Sequence, residues 1–191
     1  MQENKELLNN NNGNLGGINQ LIQRLQKEDV RNLMTFKRFQ VIFVVFIVFY
    51  GFVFVLNPFS DFELRYRITG ICYVLAFVIF GLIFRKYYRE YKSIDYSLPV
   101  ADMLKKAAER YSFQYRNTWW VIPPLLLIDA GITISLFHRI AGFTTWERIG
   151  LVQLVYVPIM IIAFLIGVLI WYKRQKPLRD AALKLLDELL G

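Results

Sequence analysis

The fold class follows from residues 149–172, IGLVQLVYVPIMIIAFLIGVLIWY, in which no side chain is charged. A helix of this length rises about 36 Å, enough to cross a hydrocarbon core of about 30 Å. A soluble helix of similar length would show a charged stripe on one face. Three more runs have the same character: residues 39–56, 68–84 and 119–137. The sequence therefore predicts an all-α membrane protein, a bundle of four transmembrane helices.

The composition agrees with this prediction and argues against several kinds of site. Of 191 residues, 55% are hydrophobic and 16% aromatic, more than soluble domains usually contain. A single cysteine, Cys72, excludes an internal disulfide and cysteine-ligated zinc. The sequence contains neither the G-x-x-x-x-G-K pattern that binds phosphates nor the H-E-x-x-H pattern that binds zinc. We therefore predict no enzymatic activity, no cofactor and no metal.

The distribution of lysine and arginine predicts the orientation, because short loops rich in these residues stay in the cytoplasm. Residues 1–38 hold six, residues 85–116 eight and residues 173–191 five. The two opposite loops hold only four: Arg65, Arg67, Arg139 and Arg148. No removable signal peptide precedes the first run. We expect a multi-pass protein of the cell inner (plasma) membrane with cytoplasmic N and C termini, contacting anionic lipid headgroups rather than nucleic acid.

Three shorter segments show helical spacing of apolar residues without the length of a span. They are residues 18–36, 98–113 and 177–190. The first repeats apolar side chains every three to four positions from Ile18, Ser97 is suited to cap the second, and Pro177 opens the third. All three are predicted to be amphipathic helices on the cytoplasmic side. They could pack on lipid and on each other, or bind a protein partner.

These segments divide the chain into six parts. The predicted parts are a disordered Asn/Gly-rich tail at 1–17, an amphipathic helix at 18–36, a transmembrane hairpin at 37–86, a basic loop at 87–116, a second hairpin at 117–173, and a C-terminal amphipathic helix at 177–190. The first hairpin contains the spans 39–56 and 68–84, and the second contains the spans 119–137 and 149–172.

Asp129 is the one charged side chain within the four runs. An ionised carboxylate deep in a membrane costs several kcal/mol, so we expect Asp129 to face the interior of the bundle. Counting residues from the span ends places polar groups of the other helices at similar depth. The predicted intramembrane polar layer comprises Asp129, Tyr50, Tyr73, Tyr156, Gln153 and Thr133. Such a layer could carry a proton or solute step, or simply fix helix packing through hydrogen bonds.

Two functions remain open from the sequence. The first is a noncatalytic scaffold, assembly factor or regulator that acts through its cytoplasmic helices. The alternative is a small transporter or channel subunit that uses Asp129 in the polar layer. Glycines within the spans would let helices approach closely, so we also considered a homodimer, which would double the two hairpins to eight spans.

Overall fold

The computed structural model describes the backbone of residues 2–56, 63–113, 119–137, 139–140 and 142–190, and the side chains of these residues except 2–16 and 55. This part of the chain is helical and contains no β-strand. Four helices are long and apolar enough to cross a membrane, which confirms the predicted all-α multi-pass membrane protein. They lie within Gly17–Phe54, Leu64–Lys92, Trp119–Leu136 and Thr145–Leu190.

Helix α1 spans Gln2–Tyr50 and continues into a π-helical turn, Gly51–Leu56. The sequence predicted three separate elements here: a disordered tail at 1–17, a short helix at 18–36 and a span at 39–56. One continuous helix covers the described part of all three. No glycine or proline separates residues 36 and 39, so the helix has no stop signal there. Extending a helix that has already formed costs much less than starting one, which allows it to include the polar N-terminal residues.

Helices α2 (Leu64–Lys92) and α3 (Val100–Arg110) follow. Helix α3 is shorter than the predicted segment 98–113, and Ser97 does not cap it. The backbone N–H and hydroxyl of Ser97 both donate to Asp95 Oδ1, at 2.8 and 2.7 Å, and so form a turn before the helix. Pro99 occupies the capping position, and its carbonyl accepts the N–H of Met103 at 3.0 Å.

A 3₁₀ turn, Trp119–Val121, leads into α4 (Ile122–Leu136), and α5 spans Thr145–Ile170. A π-helical turn, Trp171–Gln175, then joins α5 to α6 (Lys176–Leu190) without interruption. The predicted helix start at Pro177 therefore lies inside a continuous helical stretch. Proline cannot donate a backbone hydrogen bond, and the turn before it widens so that Lys176 donates to the carbonyl of Trp171. The predicted boundary at residues 116 and 117 lies outside the described residues.

The chain divides into two compact units. We call the first the three-helix module; it comprises Met1–Leu33, Tyr91–Phe113 and Gly167–Gly191. We call the second the apolar bundle; it comprises Met34–Glu90 and Gln114–Ile166.

The three-helix module has an apolar core contributed by α1, α3 and α6. Its buried members are Leu21, Leu25, Met103, Leu104, Ala107, Ala108, Tyr111 and Ala182. The opposite side of α3 is exposed and charged, with Asp102, Lys105, Lys106 and Glu109. The segments predicted to be amphipathic therefore bury apolar side chains against one another. Their cytoplasmic location remains a prediction.

The apolar bundle contains a ladder of aromatic pairs between α1 and α2, each with ring centroids 5.1 to 5.6 Å apart. The pairs of this aromatic ladder are Phe36–Tyr87, Phe39–Phe84, Phe43–Phe80, Phe46–Phe77 and Tyr50–Tyr73. Residue numbers rise along α1 as they fall along α2, so the two helices run antiparallel here. Both sets alternate steps of three and four residues, which keeps every ring on the shared face. Lipid gives helices little hydrophobic reason to associate, so direct ring packing stabilises this contact.

Large apolar side chains on α5 are exposed in the apolar bundle. Leu154 is 71% exposed and Phe164 is 52% exposed. In a helix long and apolar enough to span a membrane, such side chains are the surface that lipid tails cover.

Candidate functional site

The predicted polar layer is partly assembled in the apolar bundle. Gln153 on α5 donates from Nε2 to Oδ1 of Asp129 on α4, at 2.6 Å. Both side chains are half-buried. The structure therefore brings together the acid and one of its five predicted neighbours, and this pair joins two candidate spans. An amide donor stabilises an acceptor within apolar surroundings, where an unpaired polar group is costly.

Two tyrosines of the predicted layer contact each other through their rings. Tyr50 and Tyr73 have centroids 5.2 Å apart in an edge-to-face arrangement. The Tyr73 ring also lies against Gly131, two residues from Asp129, where an added Cβ would stand 2.7 Å from the ring. Gly131 therefore permits a close approach between α2 and α4 that a larger residue would obstruct.

The remaining two residues of the layer make backbone contacts. The Tyr156 hydroxyl donates to the carbonyl of Leu125 at 2.9 Å, so it satisfies α4 backbone rather than the acid. Thr133 is half-buried one turn beyond Asp129, and its carbonyl accepts the N–H of Phe137. The Tyr156 contact is typical of interhelical hydrogen bonding that fixes packing, whereas the Thr133 contact lies within the C-terminal end of α4.

A second polar cluster, which the sequence analysis did not identify, surrounds Asp29 in the three-helix module. Asp29 is only 4% exposed. The Tyr111 hydroxyl donates to Oδ1 at 2.5 Å, the Tyr96 hydroxyl donates to Oδ2, and Arg110 Nη2 lies 3.3 Å from Oδ2. One carboxylate on α1 therefore receives three partners from the chain segment at residues 96–111. We call these four residues the Asp29 cluster.

The arginine of the Asp29 cluster is largely enclosed. Its guanidinium carbon lies 5.9 Å from the centroid of Tyr91 and 5.6 Å from that of Tyr111, within cation–π range. The Tyr91 hydroxyl accepts a long hydrogen bond of 3.5 Å from Asn32. Arg110 Nε is buried and has no hydrogen-bond partner among the described residues. The charge of Arg110 is therefore balanced mainly by Asp29.

The tyrosines of the Asp29 cluster are held in the neutral form. Burial, followed by the hydrogen bond to Asp29, raises the pKa of Tyr111 and of Tyr96 well above the ordinary tyrosine value of about 10. Both hydroxyls therefore remain hydrogen-bond donors at physiological pH. A neutral donor suits the carboxylate, whereas an ionised phenol would repel it.

The Asp29 cluster can act as a fixed connection between α1 and α3. Burying two charges is costly, and their attraction offsets this cost only when hydrogen bonds complete the arrangement. Removing one partner leaves the other charge buried and uncompensated, which typically destabilises a protein by about 3–5 kcal/mol. The cluster contains no thiol, imidazole or aliphatic hydroxyl.

One sequence signal could have identified the Asp29 cluster. The apolar face of the first amphipathic segment includes Leu21 and Leu25, and Asp29 follows at the next helical step. A carboxylate in line with an apolar face must be buried with a partner or distort the packing. The identity of that partner requires the fold, because Arg110 is distant in the sequence.

No group of three or more metal-binding side chains of the His, Cys, Asp and Glu types occurs within the described parts of the chain. Comparison with protein-family models, curated proteins and solved structures found no match. The argument for function therefore starts from the two polar clusters and the surfaces around them.

Proposed function

We propose that this chain is a noncatalytic integral membrane protein that acts as a scaffold, assembly factor or regulator. Its three-helix module lies in the cytoplasm and binds a protein partner, while its apolar helices anchor it as two hairpins in the inner (plasma) membrane. The observation that carries the proposal is the construction of the module. Three segments far apart in the sequence share one apolar core, and the buried Asp29 cluster joins two of them, α1 and the segment at residues 96–111.

The construction of the module supports a binding role because its surface is preformed. Apolar side chains that could otherwise insert into lipid are used in its core, including Leu25 at 1% exposed and Leu104 at 0%. The exposed face of α3 carries both acidic and basic side chains. The helices of the module are ordered before a partner binds, so binding need not offset the conformational entropy lost in ordering them.

The distribution of basic residues supports the cytoplasmic location. Nineteen lysines and arginines belong to the termini and the middle segment, and four to the two opposite loops. Short loops with this excess are retained on the cytoplasmic side during insertion.

The character of the exposed face predicts the character of the partner. On α3, Lys105 and Lys106 lie between Asp102 and Glu109. Ion pairs across an interface contribute to specificity and association rate, and salt screens them. We therefore expect a partner with a charged, complementary surface and an association that weakens as ionic strength rises.

Crosslinking in native membranes followed by gentle detergent extraction tests this function. We expect the wild-type chain to yield a stoichiometric protein partner, and the variant Lys105→Glu/Lys106→Glu to lose it. These side chains are exposed, so the substitution should leave the module folded, unlike deletion of α3. The control Arg67→Glu, in the first turn of α2 and assigned to the opposite side of the membrane, should retain the partner. Recovery of the chain alone or as a homodimer, under conditions that preserve known complexes, would contradict the proposal.

A small transporter or channel subunit is the alternative, favoured by the contact between Asp129 and Gln153 inside the apolar bundle. A carboxylate within candidate spans often marks a proton or solute pathway. In liposomes, a transport role predicts pH-driven flux that Asp129→Asn abolishes. If flux is absent, or is unchanged in Asp129→Asn, the contact serves packing and the proton role is excluded.

A further inference from the structure

Three cationic side chains follow one another along α2 at helical spacing. Arg85, Lys86 and Arg89 line an open groove together with Leu82 and Glu90. Lys86 Nζ lies 4.0 Å from Glu90 Oε1, whereas neither arginine has an ion pair within the described residues. The groove therefore carries an excess of positive charge, with two arginines free to bind an anion.

A second groove, of 270 Å³, adjoins the first. It shares Leu82 and Lys86 with the first groove and is otherwise lined by Ile83, Tyr87 and Trp120. Trp120 is 67% exposed and precedes α4. The cationic groove thus continues directly into one with an aliphatic and aromatic wall.

We propose that these two grooves form one binding site for an anionic phospholipid. The phosphate and headgroup lie against Arg85, Lys86 and Arg89. An acyl chain lies against Leu82, Ile83 and Trp120. This site goes beyond the proposed partner-binding function, because it lies on α2 in the apolar bundle and does not involve the charged face of α3.

Two observations favour a phospholipid over a soluble phosphate or nucleic acid. The charged groove joins the apolar one at Leu82 and Lys86, and only an amphiphile would fill both. The site also lies toward the C-terminal end of α2, a helix long and apolar enough to cross a membrane. Tryptophan and tyrosine are enriched where such helices meet the lipid headgroups. Basic pockets that bind lipid phosphates occur at the same level.

Spin-labelled lipids test this site directly in the full chain. The protein is reconstituted in phosphatidylcholine vesicles that contain a trace of spin-labelled phosphatidylglycerol or spin-labelled phosphatidylcholine. Electron paramagnetic resonance then gives the fraction of each that associates with the protein. We expect phosphatidylglycerol to associate about fivefold more strongly, and the preference to fall toward one in Arg85→Gln/Arg89→Gln. Both arginines are exposed, so this variant should fold; circular dichroism checks it.

A matched variant distinguishes binding at these two grooves from a general electrostatic attraction of anionic lipid to basic residues. Lys173→Gln/Arg174→Gln removes the same charge from the π-helical turn that follows α5. It should keep the preference, and equal loss in both variants would overturn the proposal. Competition by inorganic phosphate at millimolar concentration would also overturn it, because the apolar groove would then contribute nothing. These outcomes are independent of whether a protein partner binds α3.

Discussion

Each unit contains an acid that contacts another helix, and the two acids differ in burial and in partners. Asp29 in the three-helix module is almost fully buried and contacts an arginine and two tyrosines. Asp129 in the apolar bundle is half-buried and accepts a hydrogen bond from Gln153. The two units also differ in how their helices associate. The module has an apolar core and a charged exposed face on α3, and the bundle has an aromatic ladder and many exposed apolar side chains. We propose that the module lies in water and the bundle in lipid. Specific polar contacts and core burial should therefore stabilise the first, and close packing of rings and glycines the second.

Removing the charge of Asp29 should have the largest effect. Asp29→Asn leaves Arg110 buried without a counter-charge and should destabilise the module by about 3–5 kcal/mol. Hydrogen exchange of the α3 amides in nanodiscs would measure the loss of protection. Asp102→Asn, on the exposed side of α3, is the matched control and should change protection little. Similar protection in both variants would mean that the Asp29 cluster does not hold the module together.

Truncation of one leucine in each unit should sharpen the comparison. Leu104 is 0% exposed in the module core, so Leu104→Ala should cost about 2–5 kcal/mol. Leu154 is 71% exposed on the lipid-facing surface, so Leu154→Ala should change stability by about 0.5 kcal/mol or less. Thermal unfolding in the same detergent would compare the two. A large effect of Leu154→Ala would indicate that this side chain is buried against another protein, as in a homodimer.

Substitution of a glycine at a close helix contact should lower the stability of the apolar bundle. Gly131→Ala places a methyl group against the Tyr73 ring, and overpacking of this kind costs about 1–3 kcal/mol. Alanine also favours a helix over glycine by about 1 kcal/mol, which offsets part of that cost. Gly81→Ala meets no atom within 4 Å, so it should be neutral or stabilising. The thermal midpoint of Gly131→Ala should therefore lie below that of Gly81→Ala, and equal midpoints in the two variants would rule out the proposed close approach of α2 and α4.

The pH dependence of the module should show the smallest effect. Burial and Asp29 raise the pKa of Tyr111 above its unfolded value of about 10. The stability from this neutral tyrosine is therefore fully present below pH 10 and is lost as pH rises beyond it. Tyr111→Phe should cost about 1 kcal/mol at neutral pH and flatten the decline above pH 10. Hydrogen exchange of α1 and α3, corrected for the intrinsic exchange rate, would measure both effects. If the stability of Tyr111→Phe declines above pH 10 as steeply as that of the wild type, ionisation of Tyr111 is not the cause of the decline.

The features that sequence analysis predicted are local ones. Four runs with a single charged side chain among them predicted four candidate spans, because every residue of a span must tolerate lipid regardless of its neighbours. The predicted polar layer included both Asp129 and Gln153, and the structure shows these two side chains in contact. Where the sequence predicted a tail, a short helix and a span, the structure has one continuous helix, α1, that includes the polar N-terminal residues.

The features that sequence analysis missed depend on contacts between distant segments. Asp29 and Arg110 form an ion pair only because α1 packs against α3 in the module. The aromatic ladder had a visible signal, rings spaced by three and four residues in both α1 and α2. Its register, such as Phe43 opposite Phe80, involves two segments at once and cannot be read from the spacing within either one.

The proposed cytoplasmic location of the three-helix module is tested most directly by cysteine labelling. In a Cys72→Ala background, single cysteines replace Lys105, exposed on α3, and Trp146, 83% exposed at the start of α5. Sealed right-side-out vesicles are treated with a membrane-impermeant maleimide. The proposed orientation predicts that Trp146→Cys is labelled at once and Lys105→Cys only after the vesicles are opened. Labelling of Lys105→Cys in sealed vesicles would contradict the cytoplasmic location of the module.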